Sequence, residues 1–429
     1  MIDTNEDQIK VKTHTFSILY ALFYIGAIAL PKLSAFALLS VLFLFIFSDF
    51  KTQKTNYQFN SLENLIILLT GLLFINYLFG FYIQIDAVNL EILKDKIHKL
   101  DNASRWLLLT PILFISRHSL IDWRFISYGL IVGSFFAFIH VIYQFYFQGI
   151  PRPYGFQNNP IIFAEILVFV DLALWMISYY SMKLGMKYLS VFSFIAGLLA
   201  FYSSLLAASR GAWLAYLVVF FIFIVFFLFK KKRLKKLINK QNLIRVIVML
   251  MLVVFVSKSD QFQSMQFRTA SSFTAAIDGD AQKASGNRAH YFLESFETIK
   301  DYPLGIGTDN FSSLNIYVKP NGTGGTIANH AHNVFLNTLV ENGVQGLTIF
   351  LLLFIVLTIY FLRECKSKSV SSKVYAYMGL ILIFCYSLFG ISQDVFSHNS
   401  TLTFFIFSVY FLIGQINRNR CMTPNLAES

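Results

Sequence analysis

Apolar runs of membrane length recur along almost the whole chain, and no other feature limits its fold so strongly. Runs of roughly 18–22 residues match the ~30 Å hydrocarbon thickness of a bilayer. A chain crossing lipid must satisfy its backbone groups internally, as a helix or a closed barrel. Runs of this length predict helices. With 56% hydrophobic residues and 48 Phe in 429 residues, a soluble domain would carry too much apolar surface. The expected fold is an all-α integral membrane protein of about twelve transmembrane helices with a large, partly helical periplasmic loop. The spans are placed at 15–30, 34–50, 62–84, 106–117, 123–148, 161–182, 187–208, 212–229, 243–257, 343–362, 374–396 and 400–416.

A formal charge of +12 raises nucleic acid as a partner, but the location of the charge argues for a membrane. Twelve spans put both termini on one side. That side carries 22 of the 35 cations, eight of them between Lys230 and Arg245. Cytoplasmic loops carry the Lys/Arg excess. The termini are therefore expected in the cytoplasm, with the 257–332 loop and Arg210 outside it. The polar residues 1–12 and the first apolar run read as an uncleaved signal anchor. Cys365, Cys385 and Cys421 are not placed to bridge the outer loop.

Three segments follow: N-terminal transmembrane helices over 1–256, a periplasmic loop carrying the chemistry over 257–342, and C-terminal helices with a cytoplasmic tail over 343–429. No repeat of 20–50 residues is found. Between Asp86 and Arg105, apolar and charged residues alternate as in an amphipathic interfacial helix. In the loop, Arg288 to Lys300 has a helical stripe at 292, 293, 296 and 299, ended by Asp301-Tyr302-Pro303. Leu304-Gly305-Ile306-Gly307 makes a turn, residues 320–326 a flexible hinge, and Asn333 to Glu341 a short helix at the membrane face.

Candidate residues have plain readings beside chemical ones. Arg210, in Ser209-Arg210-Gly211-Ala212, is by itself a snorkelling arginine or a helix end. Its small neighbours would let a headgroup approach the backbone, where an arginine fork suits phosphate oxygens. Arg288 is either a surface charge or an anion ligand in a helix's first turn, where a cation is otherwise slightly unfavourable. Arg268 is weaker. His330 and His332, two apart, point the same way in an extended segment, but no third ligand stands at a telling spacing for zinc. Asn333 serves as a helix cap in its plain reading. Asp278 and Asp280 suggest a metal-bound nucleotide sugar only weakly, and Asp394 and His398 are secondary candidates for lining the site. Nothing calls for a cofactor or metal, since no Walker motif, GxGxxG, GxSxG or HExxH is present. Glu165 and Asp171 lie inside an apolar span and are the best internal evidence for a transporter.

Ser209-Arg210-Gly211-Ala212-Trp213-Leu214-Ala215 after an apolar span resembles the signature of the O-antigen ligase and polymerase superfamily. So do Asn287-Arg288 followed by Pro303-Leu304-Gly305-Ile306-Gly307, and His332-Asn333-Val334-Phe335-Leu336. Asp101 with Arg105-Trp106-Leu107-Leu108 resembles another recurrent element. The resemblance implies a metal-independent glycosyltransferase in the bacterial inner membrane, active on its periplasmic side. Its donor would be an undecaprenyl-diphosphate-linked glycan, and its acceptor a sugar hydroxyl of lipid A–core in lipopolysaccharide biosynthesis. Polymerases and protein-glycosylating oligosaccharyltransferases share the signature. The residues implied are His332, Arg288 and Arg210 for catalysis, with Arg210, Arg288, Arg105, His330 and Asn333 for substrate binding. Of the two histidines, His332 matches the motif.

Elementary chemistry agrees. Breaking the anomeric C–O bond leaves a diphosphate whose growing charge two arginines can stabilise. A neutral histidine can deprotonate the acceptor hydroxyl, so activity is expected to fall as pH drops through the mid-6 region. A lipid-linked glycan flippase is the competing class. Oligomeric state is not legible.

Overall fold

The computed structural model describes residues 4–47, 59–85, 100–107, 109–119, 121–229, 247–248, 251, 254, 257–278, 288–314, 317–318 and 326–422. The elements are α1 (Thr4–Ala29), α2 (Pro31–Phe47), α3 (Ser61–Ile85), α4 (Leu100–Leu107), α5 (Leu109–His118) and α6 (Trp123–Ile142). A π-turn at Tyr143–Phe147 extends α6. Next come α7 (Pro160–Lys183), α8 (Lys187–Leu206), α9 (Arg210–Phe229), α10 (Asp260–Ile277) and α11 (Arg288–Asp301). A 3-10 turn (Phe311–Leu314) and a two-stranded antiparallel ribbon of β1 (Tyr317–Val318) and β2 (Thr326–Ile327) precede the last helices. These are α12 (Val334–Glu364), α13 (Val370–Ser392) and α14 (Asn399–Met422).

Among the described residues, seven helices are long and apolar enough to cross a membrane. They lie at Ser61–Tyr82, Trp123–Phe147, Pro160–Lys183, Lys187–Leu206, Val334–Glu364, Val370–Ser392 and Asn399–Cys421. The chain is a multi-pass helical membrane protein, and these seven helices coincide with seven of the twelve expected spans. Among the described residues, α1 and α2 carry shorter apolar stretches, His14–Ala29 and Pro31–Ile46, with Pro31 at the first position of α2. The run at 106–117 is split between α4 and the ten-residue α5. Helix α9 spans Arg210–Phe229, and its apolar stretch among the described residues is Arg210–Val219. Most of 243–257 lies outside the described residues, as do 86–99, 279–287 and 319–325, which hold most of the expected interfacial helix, Asp280 and most of the hinge.

The chain forms two compact units, 1–27 with 32–129 and 285–429, and 28–31 with 130–284. In the first, α14 is central and packs on α5, α13 and α4. The last carbonyls of α5 have no partner within their own helix. Gln415 Nε2 donates to the carbonyls of Ser116 and Ser119, and Arg418 Nη1 donates to His118 O at 2.9 Å. Aromatic packing fills the interior: Phe23 stacks on Phe407, and the Tyr20 hydroxyl meets Ser116 Oγ at 2.6 Å. Helix α3 opens with a reciprocal cap, Asn60 N donating to Glu63 Oε2 and Glu63 N to Asn60 Oδ1, both at 2.8 Å.

In the second unit, α7 packs along α8. The buried positions of α8 include Ser190, Ser193, Ala196, Gly197 and Ala200. Small residues let two helices approach closely. Ser178 and Ser190 donate to each other's carbonyl oxygen at 2.6 Å. Glu165 and Asp171 are buried in α7, and among the described residues neither carboxyl oxygen of Glu165 has a hydrogen-bond partner.

Candidate functional site

Helix α12 begins where the sequence places a short helix, with Asn333 as its cap. Asn333 Oδ1 accepts from Phe335 N at 2.9 Å and Leu336 N at 3.0 Å, and its Nδ2 donates to Ile391 O at 3.1 Å. The cap thus serves its plain role and also ties α12 to the end of α13. The helix does not stop at Glu341. It continues through Gly343, whose φ of 71° and ψ of −177° interrupt the helical backbone. Only glycine adopts that conformation at low cost. At the kink, Ile306 N donates to Val340 O at 2.9 Å and Gly307 N to Glu341 O at 3.0 Å. The expected turn at Leu304–Gly307 is therefore a docking segment as well: a Cβ on Gly305 would lie 2.5 Å from Glu341 O.

Helix α11 spans Arg288–Asp301, close to the predicted helix, but with its faces exchanged. Tyr291, Ser295 and Thr298 are buried, while Phe292, Leu293 and Phe296 are exposed. The inward face is chosen by what Tyr291 meets. Its ring lies 6.3 Å from Phe311 and stacks on His332 at 5.8 Å and 26°.

His332 has φ of 50°, a left-handed conformation uncommon for a residue with a side chain. Such outliers persist where the surroundings fix them. Here Ala331 N donates to Asn337 Oδ1 at 3.1 Å and His332 N to His330 Nδ1 at 3.3 Å. His332 Nδ1 lies 2.9 Å from Gln393 Oε1, and Gln393 Nε2 lies 3.2 Å from His398 Nε2. The His330 ring centroid is 4.3 Å from that of His332 and 6.1 Å from that of His398. Burial pulls His332 below the ordinary imidazole range, the Gln393 hydrogen bond opposes it, and the charge of Arg288 adds to it. His330 is pushed down to about 3 by burial and by His332 and His398. His398 is lowered by burial and by His332. Buried Asp394 is pushed up to about 7 by burial, against hydrogen bonds from the Phe396 and Ser397 backbone and with Asp309 adding to the rise. All three histidines are thus neutral near pH 7, as proton abstraction requires.

The predicted residues fall into three places. His330, His332 and Asn333 form one cluster with Gln393 and His398, and the charge of Arg288 reaches His332. Arg105 lies at the base of the α13–α14 connection, as a strut. Its Nη1 donates to Thr403 Oγ1 at 2.5 Å and its Nη2 to Asp101 Oδ2 at 2.8 Å, while Asn399 Nδ2 donates to that same carboxylate oxygen at 3.0 Å. Arg210 belongs to the second unit. It opens α9 after a tight turn in which Ala208 has φ of 49° and Ser209 is buried. Exposed Arg210 donates through Nη1 to Ser272 Oγ of α10 at 3.3 Å, and Trp213 packs on Phe262 of the same helix. In that unit Arg152 Nε donates to Ala207 O at 3.3 Å, bringing a second arginine to the Ser209 turn.

Gln393, Tyr291 and Arg152 were missed by the sequence reading. Tyr291 sits one position before the apolar stripe, and Gln393 beside Asp394 carries no motif. Among the described residues no group of three or more His, Cys, Asp or Glu is arranged to hold a metal ion.

A protein of Haemophilus influenzae (strain ATCC 51907 / DSM 11121 / KW20 / Rd), itself described as uncharacterized, is 25% identical over 418 residues, covering 93% of this chain and 97% of that protein. Residues 195–351, which hold Arg210, Arg288, His330, His332 and Asn333, match the family model described as O-antigen ligase. That match covers the segment that carries its three sequence motifs, and over it the chain is similar to the O-antigen ligase/polymerase superfamily.

Proposed function

We propose that the protein transfers a glycan from undecaprenyl diphosphate to a sugar hydroxyl of lipid A–core, on the periplasmic side of the bacterial inner membrane. The observation that carries this reading is His332. It is held in a left-handed backbone conformation, neutral, with Nδ1 engaged by Gln393. That leaves Nε2 as the basic nitrogen. In the reaction, His332 Nε2 takes the proton of the acceptor hydroxyl as its oxygen attacks the anomeric carbon. The C–O bond to the diphosphate breaks on the opposite face, and undecaprenyl diphosphate leaves with the bonding pair. Arg288 stabilises the charge growing on that diphosphate as a planar fork, the role that the sequence resemblance implies for Arg210 as well. Arg288 has a second effect, because its charge helps keep His332 deprotonated.

The test is transfer by the purified full chain, supplied with undecaprenyl-diphosphate-linked oligosaccharide and lipid A–core in EDTA without ATP. Glycosylated lipid A–core is the expected product. Elongated donor in its place would make the protein a polymerase, and glycan movement across the bilayer without transfer would make it a flippase.

A further inference from the structure

Gln393 caps the C-terminus of α13 and is 3% exposed, with extended backbone at φ −152° and ψ 151°. Its side chain lies between two imidazoles. The ends of a carboxamide are chemically unlike: the oxygen only accepts and the nitrogen only donates. With Oε1 2.9 Å from His332 Nδ1, that nitrogen must carry the proton, which leaves His332 Nε2 bare. With Nε2 of the amide 3.2 Å from His398 Nε2, the His398 nitrogen must be bare. Which end of the amide faces His332 therefore decides which nitrogen of His332 is basic.

We propose that His398, Gln393 and His332 form a positioning relay, in which the Gln393 amide selects the reactive tautomer of His332 and neutral His398 holds the amide in that orientation. The relay rests on the glycosyl-transfer reading of His332. It explains a buried glutamine at this point better than packing does, since an apolar side chain would fill the space without orienting either ring. It also gives His398 a role without contact to substrate. A proton on His398 Nε2 turns the acceptor into a donor and sets two N–H groups against each other. Rotation of the amide relieves the clash by presenting Oε1 to His398 and the NH2 to His332 Nδ1. His332 must then accept at Nδ1 and carry its proton on Nε2, where it cannot take another from a hydroxyl. One proton on His398 thus silences the base without reaching it.

Among the described residues, the groups facing the relay are few. His332 meets the His330 ring, the Tyr291 ring and the charge of Arg288. His398 meets His330 and His332. Buried Asp394 adjoins Gln393, and Asp101 with Arg105 is bonded to the neighbouring Asn399 and Thr403. Because protonation of either His332 or His398 stops the reaction, the acid limb of the rate profile has two-proton steepness.

The experiment measures kcat and KM against pH for the full chain and for Gln393→Ala, Gln393→Glu and His398→Ala, with undecaprenyl-diphosphate-linked oligosaccharide and lipid A–core as substrates. Nitrogen-15 spectra of histidine-labelled protein, assigned by single His replacements, report the tautomers directly. Gln393→Ala is expected to lower kcat by about 10–100-fold, the usual cost of losing an orienting partner, with donor KM unchanged. Gln393→Glu keeps an acceptor on Nδ1 but adds a charge, so its acid limb moves up by about 1–3 pH units. His398→Ala reduces the limb to one proton. In the wild-type spectrum, His332 carries its proton on Nδ1. Wild-type kcat in Gln393→Ala, an unmoved limb in Gln393→Glu, or a His332 protonated on Nε2 would each overturn the relay. Should Gln393→Ala fail to fold, Gln393→Glu and the wild-type spectrum still decide. A wild-type protein that transfers no glycan would sink the glycosyl-transfer reading alone, and the tautomers would still test the relay.

Discussion

At the C-terminal end of α12, Glu63 is surrounded by donors: Tyr360 and Arg420 at Oε1, Asn417 Nδ2 and Asn60 N at Oε2, all between 2.7 and 3.3 Å. Arg420 also bonds Glu364 at 2.7 Å. Four donors meet the roughly four lone-pair sites of a buried carboxylate, which is what makes a buried charge tolerable. At the N-terminal end, the histidine group is built differently. Its members are neutral and its backbone strained, and among the described residues no hydrogen bond engages His332 Nε2. The first arrangement ties α3, α12 and α14 together; the second keeps a basic lone pair in reserve. The two ends of one helix therefore separate stability from chemistry, and substitutions at each should be read by different measurements.

The sharpest break in this contrast would come from His332→Ala, which should suppress transfer by roughly 10²–10⁴-fold, the usual range for a general base. Donor binding, followed by equilibrium titration with the lipid-linked oligosaccharide, should persist. A near-normal rate would move His332 from chemistry to structure.

Arg288→Ala should cost about 10²–10³-fold in transfer, as for loss of one donor to a developing anion. It should also raise the pKa of His332, whose charged form Arg288 disfavours. The base is active when neutral, so a higher pKa moves the acid limb of the variant to higher pH. Reduced rate with an unmoved limb would separate Arg288 from His332. Arg210→Ala should lower the rate similarly without moving the limb; a limb that shifts with Arg210 would tie that residue to the base.

Tyr360→Phe tests the opposite end. It removes one donor to a buried carboxylate and should cost about 1.5–3 kcal/mol of stability. Activity per folded molecule and the pH profile should be unchanged, with the loss read as a lower midpoint of thermal unfolding in detergent. A shifted profile would show that the two ends communicate.

The smallest effect is expected from His330→Ala. Its ring already titrates at about 3, so its removal takes no charge from the site near neutrality. It should weaken transfer only through the lost contact to His332 N. In the unmodified protein the acid limb should lie below pH 6.5, because burial lowers both His332 and His398. That is lower than the mid-6 fall expected from an unperturbed imidazole, and a rate–pH series in one buffer system checks it.

How much was legible followed from the range of the forces involved. Helix α11 could be placed from its own residues, because periodicity and the terminating Pro303 are local. Its inward face could not, since an apolar stripe does not by itself say which neighbours will cover it. Tyr291 rather than Phe292 turns in because it meets Phe311 and His332, both far along the chain. Arg105 was legible as notable but its partners were not, because Thr403 and Asn399, which engage it and Asp101, lie nearly 300 residues away.

The sequence by itself determined a helical membrane protein, the motif arginines and His332, and the helix that follows Asn333. These depend on composition, on the spacing of near neighbours and on short motifs. Only the tertiary structure decided the left-handed backbone at His332, the neutrality of its ring, and the approach of Gln393 and His398 from the α13–α14 connection. The reason is physical: desolvation and hydrogen-bond partnership belong to a place in space, and residues 61 apart in sequence share that place only once α12 and α13 have packed.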